Sequence, residues 1–303
     1  FPLNSAETLD TDSDSIGNNA DTDDDDDGFA DAGAYLTLPS LSGIAATNER
    51  FGQSVALSAN GKVMAVANGP GRWANKLYIF DWIKSTWVRR GEIASFEKPK
   101  RLSLSKDGNT LVVSSPESSQ DFRGVLQAFQ WNSDAWTQLG LTWNGGFKDQ
   151  LGSSVSLSDN GEILAVGYDA NYGFGGTGTV KIFDLVESQY ISRSSIAGES
   201  ANDRFGQSID LSSDGRILAV GAYGNDSNGD RSGHVRVLSW TGKDWIQVGQ
   251  DIDGFVGERT GYRVSISADG STVAVGALEG SARVYSWSNN TWSQKGSTFE
   301  NII

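Results

Sequence analysis

Apolar and polar positions alternate in short runs along most of the chain, and the runs recur. Five stretches read alike: Phe51–Ser58, Lys100–Ser105, Leu151–Ser158, Phe205–Ser212 and Gly261–Ser267. A period of two predicts strands with one face toward a core. Each stretch runs into a short turn closing on Asn-Gly or Asp-Gly, with the glycines at Gly61, Gly108, Gly161, Gly215 and Gly270, spaced 47, 53, 54 and 55 residues apart. Such dipeptides accept positive φ and are the strongest short-range hairpin signal. A small-residue run follows each turn: Val63–Ala67, Leu111–Val113, Ile163–Gly167, Ile217–Gly221 and Val273–Gly276. These runs are apolar on both faces, which predicts a strand covered on both sides. Their Ala and Gly residues would let neighbouring sheets approach closely.

A third strand follows a loop of variable length, at Lys76–Phe80, Val125–Phe129, Thr179–Phe183, His234–Leu238 and Ala282–Tyr285. A second hairpin then carries the pattern Trp-x4-Trp-x3-Gly, at Trp82/Trp87/Gly91, Trp131/Trp136/Gly140, Trp240/Trp245/Gly249 and Trp287/Trp292/Gly296. The third repeat places Leu185 and Tyr190 in the Trp positions. The spacing predicts cross-strand aromatic pairs at the outer edge of each sheet. Four strands in each repeat of about 50 residues make a propeller blade. The expected fold is therefore all-β: a β-propeller of about five four-stranded blades over residues 35–303, simplest as a closed ring. Tyr35–Leu38 reads as a spare outer strand, placed before Phe51 much as Tyr190 is placed before Phe205.

The stretch Asp203–Asp226, with its Phe205-Gly206 start and its Ala219–Ala222 core, resembles the FG-GAP repeat family, whose blade is also found in integrin α-chain propellers. The likeness covers roughly residues 44–299. Repeat two lacks the Phe-Gly, and repeat five has Tyr262-Arg263 nearby instead. The family's blade often carries a calcium loop of Asp-x-Asp-x-Asp-Gly type. Here the loop is Ser-x-Asn/Asp-Gly, which reads as a plain hairpin.

Charge changes the picture at one end. The net charge is −14, and residues 1–34 hold ten Asp and one Glu with no Lys or Arg. The rest carries 24 basic and 27 acidic residues, so the body is nearly neutral. Calcium takes six to eight oxygen ligands, from carboxylates spaced by two around a loop with Gly at the bend. Asp23, Asp25, Asp27 and Asp31, with Gly28, fit one such loop, and Asp10, Asp12, Asp14 and Asp21 fit a preceding one. These residues resemble the thrombospondin type 3 repeat, which implies a segment 1–34 wound around calcium ions. Extracellular calcium modules bind with Kd of roughly 10⁻⁴–10⁻³ M, so the segment is expected to fill outside the cell. The sequons at Asn225 and Asn289 are expected to lie on exposed loops and point to the same location.

Other chemistry is narrowed by composition. There is no Cys, so neither disulfides nor thiolate metal sites exist. No basic patch of nucleic-acid type appears, and no apolar run reaches the ~18 residues of a membrane span. The one histidine, His234 beside Ser232, would have to serve any Ser-His-Asp triad, and reads instead as a strand-edge surface residue. Asp203, Asp210, Glu49 and Glu258 are the carboxylates a propeller glycosidase would use at its axis. The expectation is a secreted or surface module without enzymatic activity, for adhesion, matrix contact or an extracellular filament. Its partners would be other proteins, itself, or glycans. The alternative is a carbohydrate-active propeller, as lectin or glycosidase.

Overall fold

Each repeat folds into one antiparallel sheet, with strands hydrogen-bonded in chain order. The computed structural model describes residues 51–68, 77–93, 98–118, 121–168 and 175–300. The chain divides into two compact units, Phe1–Ser42 and Gly43–Ile303, and every described residue lies in the second. Asp10, Asp12, Asp14, Asp21, Asp23, Asp25, Asp27, Asp31, the Tyr35–Leu38 strand and Glu49 fall outside the described residues.

Sheet 1 comprises Phe51–Leu57, Val63–Asn68, Leu77–Ile83 and Thr86–Ile93. Sheet 2 comprises Arg101–Leu104, Thr110–Ser115, Val125–Trp131 and Trp136–Asn144. Sheet 3 comprises Leu151–Leu157, Ile163–Tyr168, Thr179–Val186 and Gln189–Ala197. Sheet 4 comprises Ser208–Leu211, Ile217–Ala222, His234–Trp240 and Trp245–Gln247, and Ile252–Asp253 also pairs with its third strand. Sheet 5 comprises Thr260–Ile266, Thr272–Ala277, Ser281–Ser288 and Thr291–Gln294, with Phe299–Glu300 on its third strand. No helix among the described residues is long and apolar enough to cross a membrane.

The turn between first and second strands is built the same way five times. The Ser that ends each first strand donates from Oγ to an Asn or Asp Oδ1 two residues on. It also accepts the amide of the first residue after the turn. In sheet 3 these are Ser158 to Asn160 (2.7 Å) and Ile163 N to Ser158 (2.9 Å). In sheet 4 they are Ser212 to Asp214 (2.7 Å) and Ile217 N to Ser212 (2.9 Å). The Asx oxygen also accepts an amide two residues further on, as from Arg216 to Asp214 at 2.9 Å. These side chains supply partners that the backbone lacks at the turn, which is why Ser and Asx recur at fixed spacing.

Four apolar clusters join the sheets pairwise in chain order. Ala65 and Ala67 of sheet 1 pack on Leu111 and Val113 of sheet 2. Val112 and Ala128 of sheet 2 pack on Leu164 and Val166 of sheet 3. Ala165 and Val180 meet Leu218 and Val220. Ala219 and Val237 meet Val273 and Val275. Each junction thus sets the small-residue face of one sheet against the Leu/Val face of the next. Where the small residue is Gly, the next backbone comes closest: a Cβ on Gly167 would lie 2.0 Å from the Gly206 carbonyl oxygen.

The outer hairpins carry a second set of joints. The Trp pairs form as predicted, with ring centroids 5.1–5.6 Å apart. In sheet 3, Leu185 stands opposite Tyr190. The second Trp of a pair reaches back to the preceding sheet. Trp136 Nε1 donates to Arg90 O (3.2 Å), Trp245 to Ser194 Oγ (3.1 Å) and Trp292 to Val248 O (2.8 Å). The glycine of the pattern is the seat for the next pair. A Cβ on Gly249 would lie 2.4 Å from the Trp287 ring, and one on Gly91 would lie 3.0 Å from Trp131.

The first strands share one axis. Ser54, Arg101, Ser154, Ser208 and Arg263, the same repeat position in all five sheets, line a single small cavity of about 170 Å³. Hydroxyls stitch neighbouring first strands together. Ser103 accepts the Leu157 amide (3.0 Å), and Ser156 accepts that of Leu211 (3.1 Å). The arrangement is propeller-like. Among the described residues no apolar cluster joins sheet 5 to sheet 1, and the sheet 1 residues Val55 and Leu57 are 61% and 57% exposed.

Candidate functional site

On one side of the axis the loops of sheets 2 to 5 surround an open cavity of about 1030 Å³. Gln207 lines both this funnel and the axial cavity, so the two adjoin. The funnel wall carries Lys100, Arg204, Arg231 and Arg259, two tyrosines, Tyr223 and Tyr262, and the acids Glu117, Asp226 and Asp230.

Six of its lining residues sit in the left-handed region without being glycine: Phe122 (φ 50°), Gln150 (46°), Asn202 (70°), Arg204 (57°), Arg231 (51°) and Arg259 (58°). Such residues are uncommon and cost on the order of 1–3 kcal/mol each, so they persist only where the surroundings fix them. Here the loops fix each other. The Arg259 amide donates to the Arg231 carbonyl at 2.9 Å, and the Gln150 amide to that of Phe122 at 2.9 Å. Arg231 and Arg259 are thereby held side by side on one rim. Arg259 also pairs with Glu279 at 3.5 Å, and Lys100 pairs with Glu117.

An aromatic ladder runs from the wall toward the axis. The Arg204 guanidinium lies 5.2 Å from the Tyr223 ring, Tyr223 meets Tyr262 edge-on at 5.4 Å, and Arg263 lies 4.6 Å over Tyr262. Arg263 and Arg101 face the axial cavity, whose lining contains no carboxylate. Burial depresses the pKa of Arg101, and the nearby Arg263 charge depresses it further, against the pull of Tyr262 and Glu117. Arg101 Nε donates to the Ser153 carbonyl at 2.8 Å. The floor of the funnel is therefore a concentration of positive charge with aromatic faces beside it.

The described carboxylates proposed for an axial acid–base role are tied into the scaffold. Asp210 accepts amides from Ile266 (2.9 Å) and Leu211 (3.1 Å) and hydroxyls from Ser265 and Ser156 (3.1 Å each). Burial nevertheless raises its pKa against those four bonds. It occupies the repeat position of Ser103 and Ser156 and stitches sheet 4 to sheet 5. Asp203 is buried and accepts the Ser200 amide at 2.8 Å. Glu258 is bound by Arg283, Ser281 and the Phe255 amide; burial opposes the shift, but these bonds hold its pKa down at about 2.

His234 is not the surface residue the sequence suggested: it is 1% exposed. Its strand is covered by sheet 5 on one face and by Ile252–Asp253 at its edge. Nδ1 lies 3.7 Å from Asp251 and has no hydrogen-bond partner. Burial lowers its pKa, with Asp251 opposing. Glu199, His234 and Asp251 stand close enough to share an ion. Arg236 already bonds both carboxylates, at 3.2 Å to Asp251 and closer to Glu199, and is the cation of this cluster. Ser232 donates to the Asn225 carbonyl at 3.2 Å rather than to His234.

Of the two sequons, Asn289 is exposed as expected. Asn225 departs from the expectation: it is 1% exposed, with its Oδ1 accepting the Ser227 amide at 2.8 Å. A tight Asx turn has drawn it into the loop. The funnel arginines were not singled out from the sequence. Their signal was there, as an Arg just before Phe205-Gly206 and Thr260-Gly261, but nothing in the pattern said that the position is left-handed.

Comparison with known proteins fits this architecture. Residues 197–238 match the FG-GAP repeat family. No curated protein matches the chain. Among solved structures, a functionally unknown protein from Desulfotomaculum acetoxidans DSM 771 is similar at 14% identity and TM-score 0.58, over 85% of this chain and 72% of that one. A Bacteroides fragilis NCTC 9343 protein described as a "putative 6-phosphogluconolactonase" is similar at 17% identity and TM-score 0.55, over 80% and 69%. At these identities the likeness is one of fold, and the match to the FG-GAP repeat lies over residues 197–238 of an all-β scaffold of five antiparallel sheets.

Proposed function

We propose that the chain is a non-enzymatic, extracellular binding module of propeller type, which holds an acidic partner in its funnel. Sulfated or carboxylated glycans, of the kind found in extracellular matrix, are the ligand class that suits it. The observation that carries this reading is the pair Arg231 and Arg259, locked side by side in left-handed backbone on the rim. Pre-set guanidinium forks suit carboxylate and sulfate, and the tyrosine faces suit sugar rings. The tied carboxylates Asp203, Asp210 and Glu258 favour binding over hydrolysis.

The acidic segment 1–34 belongs to the same reading. Asp10, Asp12, Asp14, Asp21, Asp23, Asp25, Asp27 and Asp31 would take calcium and stiffen the approach to the scaffold, and Asn289 is free to carry a glycan. The test is titration of the full chain, in millimolar calcium, with a sulfated oligosaccharide and its desulfated counterpart. Charge-assisted hydrogen bonds contribute ~1.5–3 kcal/mol each. Arg231→Ala with Arg259→Ala should therefore weaken the sulfated ligand by at least tenfold, with a flatter salt dependence. Equal binding of both sugars, or none, would sink the proposal.

A further inference from the structure

The first and last sheets carry the two halves of one more junction, and among the described residues both halves are left largely open. Five features recur across the internal junctions, the turn-glycine contact at all four and the others at two or more. These are a small-residue face against a Leu/Val face, a hydroxyl or carboxylate against the amide of the next first strand, a turn glycine against the residue after the previous turn, a glycine seat under the next Trp pair, and a close glycine backbone approach.

Sheet 5 offers the receiving half, open among the described residues. Ala274 is exposed, whereas Ala65, Ala165 and Ala219 at the same repeat position are fully buried. Ser265 holds the stitching position of Ser103 and Ser156 and is exposed. A Cβ on Gly296 would meet nothing within 4 Å, although Gly91 and Gly249 lie under a Trp pair. A Cβ on Gly276 would meet only Arg263 of its own sheet, whereas those on Gly167 and Gly221 run into the next sheet.

Sheet 1 offers the inserting half. A Cβ on Gly61 would meet nothing, whereas those on Gly108, Gly161, Gly215 and Gly270 press on Val63, Thr110, Ile163 and Ile217 of the preceding sheet. Val55 and Leu57 are exposed, although Leu157 and Leu211 at the latter position are buried. Val66 and Tyr78 of the same face are buried, so the free part of this half is the inner strand, its turn and the outer hairpin.

We infer that the open face of sheet 5 receives sheet 1 of a second copy of this chain, head to tail. Only this repeat type presents a Leu/Val inner strand, a turn glycine and a Trp hairpin in the right register, and the chain's own sheet 1 is not seated there. The contact extends an interface that the chain already makes four times. It is heterologous, so it propagates until a ring closes or a filament grows. It does not depend on the funnel, and glycan titration leaves it untested and untouched.

Light scattering after gel filtration reads it directly. The full chain should run at twice the monomer mass or more and dissociate on dilution. Ala274→Arg blocks the receiving half and Leu57→Asp the inserting half; both residues are exposed, and circular dichroism checks that each variant folds. Each variant alone should be monomeric. An equimolar mixture should recover a dimer and nothing larger, since each contributes one intact half. The double variant should stay monomeric in any mixture. A monomeric wild type at high concentration, with its ring open or closed on itself, would overturn the inference. So would assembly unchanged by either substitution.

Discussion

Removing the buried hydroxyl of one repeat turn tests the account of how this scaffold is specified. Ser158 is fully buried; its Oγ donates to Asn160 Oδ1 at 2.7 Å and accepts the Ile163 amide at 2.9 Å. In Ser158→Ala the amide of Ile163 keeps its place but loses its acceptor, and Asn160 loses a donor. A buried donor left unsatisfied costs about 1–3 kcal/mol. Asn160→Ala leaves the Ile163 amide bonded to Ser158 and takes an acceptor from the Ser158 hydroxyl and from the exposed Glu162 amide at 3.1 Å; the hydroxyl can rotate and water serves Glu162, so its cost should be the smaller of the two. Ser158→Thr keeps the hydroxyl and should recover most of the loss. Urea unfolding gives the three differences, and amide exchange at Ile163 localises them. For a unit of this size each kcal/mol lowers Tm by roughly 2–4 °C. If Ser158→Ala is no worse than Asn160→Ala, with Ile163 exchange unchanged, the hydroxyl does not hold the turn and the repeat serine needs another explanation.

Three further outcomes follow from the same geometry. Gly215→Ala combines φ +67° with a Cβ placed 2.7 Å from Ile163 of the neighbouring sheet, whereas Gly242→Ala has φ +94° and open space. Both are strained, but Gly215→Ala should lower the urea midpoint clearly more, and equal effects would mean that the turn glycine is no inter-sheet joint. Asp210→Ser should be close to neutral, since Ser103 and Ser156 do the same work, while Asp210→Ala should cost about 1–3 kcal/mol by orphaning the Ile266 amide. His234 is a base whose folded pKa is pushed below its ordinary 6.5 by burial. The unfolded chain takes up the proton first, so stability rises with pH up to about 6.5 and is lost as pH falls below it. His234→Gln should flatten that slope in acid titrations followed by circular dichroism.

The strands, their order and the aromatic hairpins were legible because their signals are local. Period-two runs, Asn-Gly or Asp-Gly turns and Trp at fixed spacing each report on a few residues, and all point to one structure. What joins the sheets was only half legible. Trp136, Trp245 and Trp292 were readable as cross-strand partners, but not as donors to the preceding sheet, because that contact spans 44–51 residues. Asp210 looked like a candidate catalytic carboxylate because a charge inside a strand is unusual. Aligned with Ser103 and Ser156 it is a variant of the stitching residue. His234 looked like an edge residue because the short strand Ile252–Asp253, which covers it, has too little pattern to be seen.

The funnel shows how scaffold and site are coupled in such a repeat. In sheets 3, 4 and 5 the residue before the Phe-Gly or its equivalent turns left-handed, and the glycine two residues on approaches the previous sheet. Gln150, Arg204 and Arg259 all occupy that position, and all three line the funnel. The constraint that serves the junction falls on their backbone, through bonds such as Arg259 N to Arg231 O, while the side chains reach funnel partners, as Arg259 does to Glu279 and Arg204 to the Tyr223 ring. A residue at this position therefore alters the funnel's charge without touching a sheet junction. Arg259→Gln, which takes the side chain of its repeat counterpart Gln150, is expected to keep the wild-type urea midpoint while weakening a sulfated ligand several-fold. A loss of stability comparable to that of Gly215→Ala would show instead that the arginine is held there for the fold.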